Sequence, residues 1–266
     1  MPFKNSLIKL IKRTLFNYEH PRYHRFLYHL SRQYVDFYRG EHNADMKTNG
    51  EYRFLDKLSK IHPIRVCIDI GANFGDYGER IAQLNNGAEI HCFEPGSDAF
   101  SILKNRLGSD KKHFLNNYAL SDTAGEKEMY INKDASQLNS FHQVTGDVMS
   151  MVKIDTLDNY VKERGISHMD LVKMDTEGHE FFVLRGGDEF FRKKCADFVQ
   201  FEFGNAAIYA RTFFRDIFDF FNDREYDIYK IKPLTLEKVV YAPEYEKIMY
   251  ANFVAVRKDI SVDSLL

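Results

Sequence analysis

Tryptophan is absent from the 266 residues, cysteine occurs three times and proline six times. Cys67, Cys92 and Cys195 cannot all pair within one chain, and two of them sit inside apolar runs. A disulfide framework is therefore excluded, and reduced, buried thiols are expected. No apolar stretch approaches the ~18–20 uncharged residues that span a bilayer. Lys4, Lys9, Lys12 and Arg13 interrupt the apolar residues at the N-terminus, so no signal peptide is expected and the chain reads as cytoplasmic. A strong charge of one sign is missing as well. With 37 basic and 39 acidic residues the net is −2, which argues against a generally basic nucleic-acid binder. What is present is core material: 44% hydrophobic and 15% aromatic residues, enough for one full core.

The charge is unevenly placed. The first forty residues hold Lys4, Lys9, Lys12, Arg13, Arg22, Arg25, Arg32 and Arg39 against only Glu19 and Asp36. Leu7, Ile8, Leu10, Ile11 and Leu15 recur at helical spacing, Pro21 interrupts, and a second helical pattern rich in Tyr and Phe runs from Tyr23 to Tyr38. Residues 41–50 read as a linker, and Glu51–Ile61 as a short helix ending before Pro63. The basic arm packs on the core or on a second subunit, as in a homodimer, or touches an anionic membrane, which would place the protein at the inner membrane surface.

From Arg65 onward strands alternate with helices. Strands are expected at Arg65–Ile70, Glu89–Phe93, His113–Ala119, Asp170–Met174 and Asp197–Phe203, with shorter ones at Lys127–Ile131 and Met149–Ile154. Helices are expected at Phe74–Leu84, Ser97–Leu107, Thr156–Arg164, His179–Arg192 and Thr212–Asn222. Tyr226–Lys232 and Asn252–Arg257 suit an antiparallel pair at the sheet edge. This is the pattern of an α/β fold with a mostly parallel sheet covered on both faces.

Two constellations carry chemistry. The first strand runs into Asp69-Ile70-Gly71-Ala72-Asn73-Phe74-Gly75. A glycine-rich turn lets a ligand approach bare backbone at a helix start. Asp69 decides which ligand, because a carboxylate there would repel a pyrophosphate and suits a cation. S-adenosylmethionine carries an ammonium and a sulfonium, so Asp69 can serve as its counter-ion. Glu94, ending the second strand, stands where an acid accepts both hydroxyls of a ribose. The second constellation is Asp175-Thr176-Glu177-Gly178-His179-Glu180 with Glu202 on the following strand. Asp175 and Glu202 could do acid–base work on a hydroxyl or hold a divalent cation such as Mg, Mn or Fe, with Asn205 or His179 as a further ligand. His179, at a helix start, is also a candidate neutral base.

Asp69-Ile-Gly-Ala-Asn-Phe-Gly75, Glu94-Pro95, Asn117-Tyr-Ala-Leu-Ser-Asp122, Val152-Lys-Ile-Asp-Thr-Leu-Asp158 and Lys173-Met-Asp-Thr-Glu-Gly-His-Glu180 together resemble the FkbM-type methyltransferases, over about Ile64 to Lys258. The resemblance implies a Rossmann-like class I methyltransferase: a seven-stranded, mostly parallel sheet whose last strand is antiparallel. The domain would span 61–260, after an N-terminal helical extension over 1–60. The implied cofactor is S-adenosylmethionine, with Asp69, Gly71, Asn73 and Gly75 at its methionine end, Glu94 at the ribose and Asn117, Ala119 and Leu120 at the adenine. The implied reaction is methylation of a hydroxyl, often on a sugar, so a carbohydrate or nucleotide-sugar partner is expected and a nucleic acid is not. Asp175, His179 and Glu202 are the expected catalytic residues, with Asp175 and Glu202 as the expected metal ligands. Polar side chains in Asp134–Met151 (Ser136, Gln137, Asn139, Ser140, His142 and Gln143) suit a polyhydroxyl acceptor, or form a plain solvated loop. Three alternatives stay open: a metal-free enzyme of small natural products, a degenerate domain that only binds, and a dehydrogenase.

Overall fold

The computed structural model describes residues 21–132, 139–142, 148–247 and 250–265. It divides into two compact units, Met1–Arg39 and Gly40–Leu266. The described part of the first is one α-helix, Pro21–Arg39. Pro21 stands at the first position of this helix, where its missing N–H costs nothing. The helix expected around Leu7–Leu15 lies outside the described residues.

The division at Arg39 and Gly40 corrects the expected boundary at 60 and 61. The helix Glu51–Ile61 buries Phe54, Leu55 and Leu58, spaced to fall on one stripe, in the core of the second unit. It belongs to the body of the protein. The expected linker before it is a series of turns, with the Thr48 and Asn49 N–H groups both donating to the Asp45 carbonyl at 2.9 Å.

The strands of the main sheet are β1 (Val66–Ile70), β2 (Glu89–Phe93), β3 (His113–Asn116), β7 (Met169–Met174), β8 (Ala196–Gly204), β9 (Tyr226–Ile231), β10 (Leu236–Lys238) and β11 (Tyr250–Arg257). Their spatial order is β10-β9-β11-β8-β7-β1-β2-β3. The sheet has eight strands, not the expected seven; the extra one is the three-residue β10 on the edge beside β9. β9 and β11 do pair antiparallel, but β11 is inserted beside β8 and is not an edge strand. The expected strand His113–Ala119 splits. After Asn116 the chain leaves the main sheet, and β4 (Ala119–Leu120) joins a second sheet of order β4-β6-β5 with β5 (Gly125–Ile131) and β6 (Val148–Asp155). The expected helix His179–Arg192 also breaks, into Glu180–Gly186 and Asp188–Arg192. Gly186 lies so close to the Ser121 carbonyl that a Cβ would come within 1.9 Å of it.

Strand alternation sends successive side chains to opposite faces. Ile68, Ile70, Val172, Met174, Val199, Phe201 and Phe253 fill one buried cluster, with Phe191, Phe214 and Phe221 from the helices outside it. Cys67, Leu171, Phe198 and Val254 fill the other, with Phe54, Leu55 and Leu58. Cys67 and Cys92 are free and buried as expected, and Cys195 is free and half-buried. From β1 the chain proceeds to β2 and β3 on one side, while β7 and β8 lie on the other. The junction of β1 and β7 is thus a topological switch point, and their carboxyl ends open the crevice where ligands of such sheets bind. Among the described residues no helix is long and apolar enough to cross a membrane.

Candidate active site

A cavity of about 520 Å³ lies at this switch point. Asp69, the penultimate residue of β1, lines it while being almost wholly buried. Its Oδ2 meets no hydrogen-bond donor within the protein. Burial pushes the Asp69 carboxyl up from 3.8 to about 6, against the opposing pull of the Lys173 ammonium. The turn that follows is set by backbone geometry. Gly71 has φ of 84° and sits so close to the Asp175 carbonyl that a Cβ would lie 1.8 Å from it. The N–H groups of Gly71 and Ala72 both donate to the Phe93 carbonyl at 2.9 Å, joining the tips of β1 and β2.

Glu94 stands on the other side of this turn. The Asn73 N–H donates to its Oε2 at 2.9 Å and the Gly96 N–H to its Oε1 at 2.7 Å. Each oxygen is thereby aimed and keeps a lone pair for a ligand hydroxyl. Burial raises the Glu94 carboxyl to about 7, even against these two N–H groups. Of the residues expected at the cofactor, Asp69, Gly71, Asn73, Glu94, Ala119 and Leu120 line the cavity, whereas Gly75 and Asn117 do not. Gly75, at φ 86°, packs on Leu103 at the start of the helix Asp76–Leu84. Asn117 is exposed, and its Nδ2 donates to the carbonyls of Glu94 at 2.9 Å and Pro95 at 3.3 Å, bracing the β2 tip.

The ends of β7 and β8 bring Asp175 and Glu202 to the same cavity. Between them and Asp69 lies a residue that sequence reasoning passed over. Lys173 is paired in register with Asp69 on β1 and Gln200 on β8, so the three share a face of the sheet. Its Nζ, almost fully buried, donates to Asp175 Oδ2 at 2.9 Å and lies 5.3 Å from the centre of the Tyr77 ring. Burial works against the ammonium, but Asp175, Glu51 and Asp69 outweigh it and hold Lys173 charged. Burial likewise disfavours the Asp175 carboxylate, yet Lys173 keeps it below the ordinary carboxylate range. Glu202 goes the other way: burial, reinforced by the charge of Asp175, pushes it well up. Of the pair, Asp175 is thus favoured as the charged member and Glu202 as the one that holds a proton.

Glu51, buried at the first turn of Glu51–Ile61, is the other omission. It accepts from Gln200 Nε2 at 2.6 Å, Asn49 Nδ2 at 2.6 Å and Asn252 Nδ2 at 3.0 Å, and the Tyr77 hydroxyl donates to the far side of Gln200 at 2.8 Å. A lysine within the apolar run Leu171–Met174 was a visible signal for Lys173. For Glu51 no local signal existed, because its partners lie up to 201 residues away. Glu177 and Tyr250 also line the cavity. Glu177 adopts φ of 51°, and burial together with Asp175 raises its carboxyl to about 8.

Two expectations are corrected here. His179 is fully buried, with Nε2 bonded to Ser121 Oγ at 2.9 Å and Nδ1 to His142 Nε2 at 3.1 Å. Its ring stacks on Phe182 at 4.6 Å, and burial, helped by Lys127, drives its pKa far down. It lines the cavity as expected, but with both nitrogens bonded within the protein it stands there as a neutral strut rather than as a free base or ligand. The pair Asp175 and Glu202 likewise does not fit a divalent ion. Lys173 already supplies the positive charge at Asp175, and no group of three ligand-bearing side chains among the described residues includes either acid. Of the polar segment near the acceptor side, Ser136, Gln137 and Gln143 lie outside the described residues. Asn139 and Ser140 line the cavity, and Ser140 Oγ donates to the Glu177 carbonyl at 2.8 Å.

The family model for methyltransferase FkbM domains matches residues 69–228, a span that includes Asp69, Glu94, Asp175 and Glu202. The chain belongs to the FkbM methyltransferase family. Its strand order, with one antiparallel strand inserted in a parallel sheet, is that of a Rossmann-like class I methyltransferase. Similar proteins include 2-O-methyltransferase NoeI of Sinorhizobium fredii, 28% identical over 163 residues that are 55% of this chain and 66% of that one. The 31-O-demethyl-FK506 methyltransferase FkbM of Streptomyces tacrolimicus is 27% identical over 161 residues, 49% of this chain and 62% of that one. The hexuronic acid methyltransferase AglP of Haloferax volcanii is 28% identical over 122 residues, 46% of this chain and 49% of that one. The chain thus spans less than two thirds of the length of each of these relatives.

Proposed function

We propose that this FkbM-family chain is an S-adenosylmethionine-dependent O-methyltransferase acting on a sugar hydroxyl, in a nucleotide sugar or a building block of a surface polysaccharide. The observation that carries the cofactor assignment is the buried, unpartnered Oδ2 of Asp69 at the wall of the cavity. Burying an ionisable acceptor with no donor costs free energy unless a ligand supplies the partner. When bound, the cofactor supplies an activated methyl on a cationic sulfur. Asp69 would hold its positive end, and the two aimed oxygens of Glu94 its ribose hydroxyls.

The remaining steps belong to the protein. Lys173 keeps Asp175 ionised, so this carboxylate can accept a hydrogen bond from an acceptor hydroxyl and orient its oxygen. A free hydroxyl is a weak acid, but it becomes strongly acidic as its oxygen gains a third bond. A carboxylate of low basicity therefore suffices to take the proton. Glu202 beside it is pushed toward its neutral form by burial and by Asp175, which limits the build-up of negative charge. Glu177, whose carboxyl is raised to about 8, also lines the cavity wall.

A sugar acceptor is favoured by the acids that line the cavity, among them Asp175, Glu177 and Glu202, and by the name of the hexuronic acid methyltransferase relative. The FK506 methyltransferase relative favours a second reading, a hydroxyl of a small natural product. Incubation with methyl-labelled cofactor and a panel of nucleotide sugars, glycan fragments and macrolide alcohols separates the two. Label transferred only to protein or nucleic acid would reject both.

A further inference from the structure

The helix Pro21–Arg39 has a feature that the reaction does not use. Taken at 100° per residue, Tyr23, Phe26, Leu30, Tyr34, Phe37 and Tyr38 fall on one side. All six are exposed, Tyr34 at 68% and Phe26 at 62%. Arg25, Arg32 and Arg39 fall on the opposite side, where Asp36 is the one acidic residue, 3.6 Å from Arg32, and Arg22 lies at the flank. So many exposed apolar side chains on one helix are costly in water.

We infer that this helix is a membrane-surface anchor, lying in the plane of an anionic bilayer with its aromatic side in the headgroup and acyl boundary and its arginines on the phosphates. Three observations select a lipid surface as the occupant. The charge is complementary, because the arginines give this helix a marked positive excess while the chain as a whole carries −2. The apolar side is dominated by Tyr and Phe; tyrosine pairs an apolar ring with a wet tip and is the residue of membrane–water interfaces. The helix is too polar to cross a bilayer, which leaves the in-plane mode.

The full-length protein is tested by flotation with vesicles of phosphatidylcholine alone and of phosphatidylcholine with phosphatidylserine. The wild type should float with the anionic vesicles, remain behind with the neutral ones, and detach as salt is raised. Phe26→Asp with Phe37→Asp should reduce the bound fraction on the order of tenfold, and so should Arg25→Glu with Arg32→Glu, which keeps the apolar side. Cofactor binding by calorimetry should be the same in all three proteins, so failure here leaves the proposed reaction standing. Absence of flotation with either vesicle would overturn the inference. A dimer in solution that the two Phe substitutions convert to monomer, without vesicle binding, would overturn it in favour of a second copy.

Discussion

Asp69 and Lys173 are opposed in sign and lie side by side in register, and together they set the electrostatics of the cavity. The folded carboxyl of Asp69 titrates near 6 against an ordinary 3.8, so the folded state holds its proton over a pH range where the unfolded chain has released it. Its contribution to stability is therefore intact below about pH 4 and lost as pH rises through 6. Asp69→Asn should raise the melting temperature of the ligand-free protein above pH 7, by an amount worth up to about 3 kcal/mol, while weakening cofactor binding. A variant that loses both stability and binding would contradict the role given to the unpartnered oxygen. Wild-type cofactor affinity should fall about tenfold per pH unit below 6, as the carboxyl protonates. Lys173→Met leaves Asp175 and Glu51 without their cation, and a loss of about 3–5 kcal/mol is expected in denaturant titrations. At this scale much was legible. Asp69, Glu94, Asp175 and Glu202 end strands in the sequence, and a carboxylate at the end of an apolar strand requires a reason. His179 was misread because the sequence shows a histidine at a helix start but not Ser121, His142 and Phe182 closing around it.

The helix Glu51–Ile61 was expected with the bounds it has, since Gly50 and Pro63 punctuate it and its apolar residues share a stripe. Its allegiance was not legible. A helix is assigned to a body by the contacts it makes across the chain, and Leu55 and Leu58 bury themselves against strands that follow it. Leu55→Ala should cost about 2–5 kcal/mol in chemical denaturation, as a cavity in a closed core. A cost under 1 kcal/mol would return the helix to a loosely attached arm. Glu51→Gln keeps the hydrogen-bonding shape around Gln200 and Asn252 but removes a negative charge facing Lys173. Turnover should change more than stability does, and a pH profile compared with the wild type checks this. The strand expected over His113–Ala119 carries Asn116 and Asn117 in its middle, a polar interruption of the apolar run. The break at Asn117 follows from the two sheets that claim its ends.

Across the whole molecule, the order of strands makes the site. Alternation of strands and helices was enough to expect a mostly parallel sheet, and the acid at the tip of β1 was enough to choose a cationic ligand over a pyrophosphate. The insertion of β11 between β8 and β9 was not readable, because strand order is decided by pairing among distant segments and periodicity only shows that strands exist. Metal dependence is also a property of the assembled site: Lys173 occupies the place of a cation at Asp175. Chelator should leave methyl transfer unchanged, and restoring Mg²⁺, Mn²⁺ or Fe²⁺ one at a time should add nothing; a clear rescue by one metal would return Asp175 and Glu202 to the role of ligands. The most direct test of the central claim is titration calorimetry of S-adenosylmethionine into the wild type and Asp69→Asn at pH 7.5, beside a nicotinamide dinucleotide as control. The account predicts saturable heat with the wild type, a loss of at least about tenfold in affinity with the variant, and no heat with the dinucleotide. Equal affinity in the two proteins, or binding of the dinucleotide alone, would contradict it.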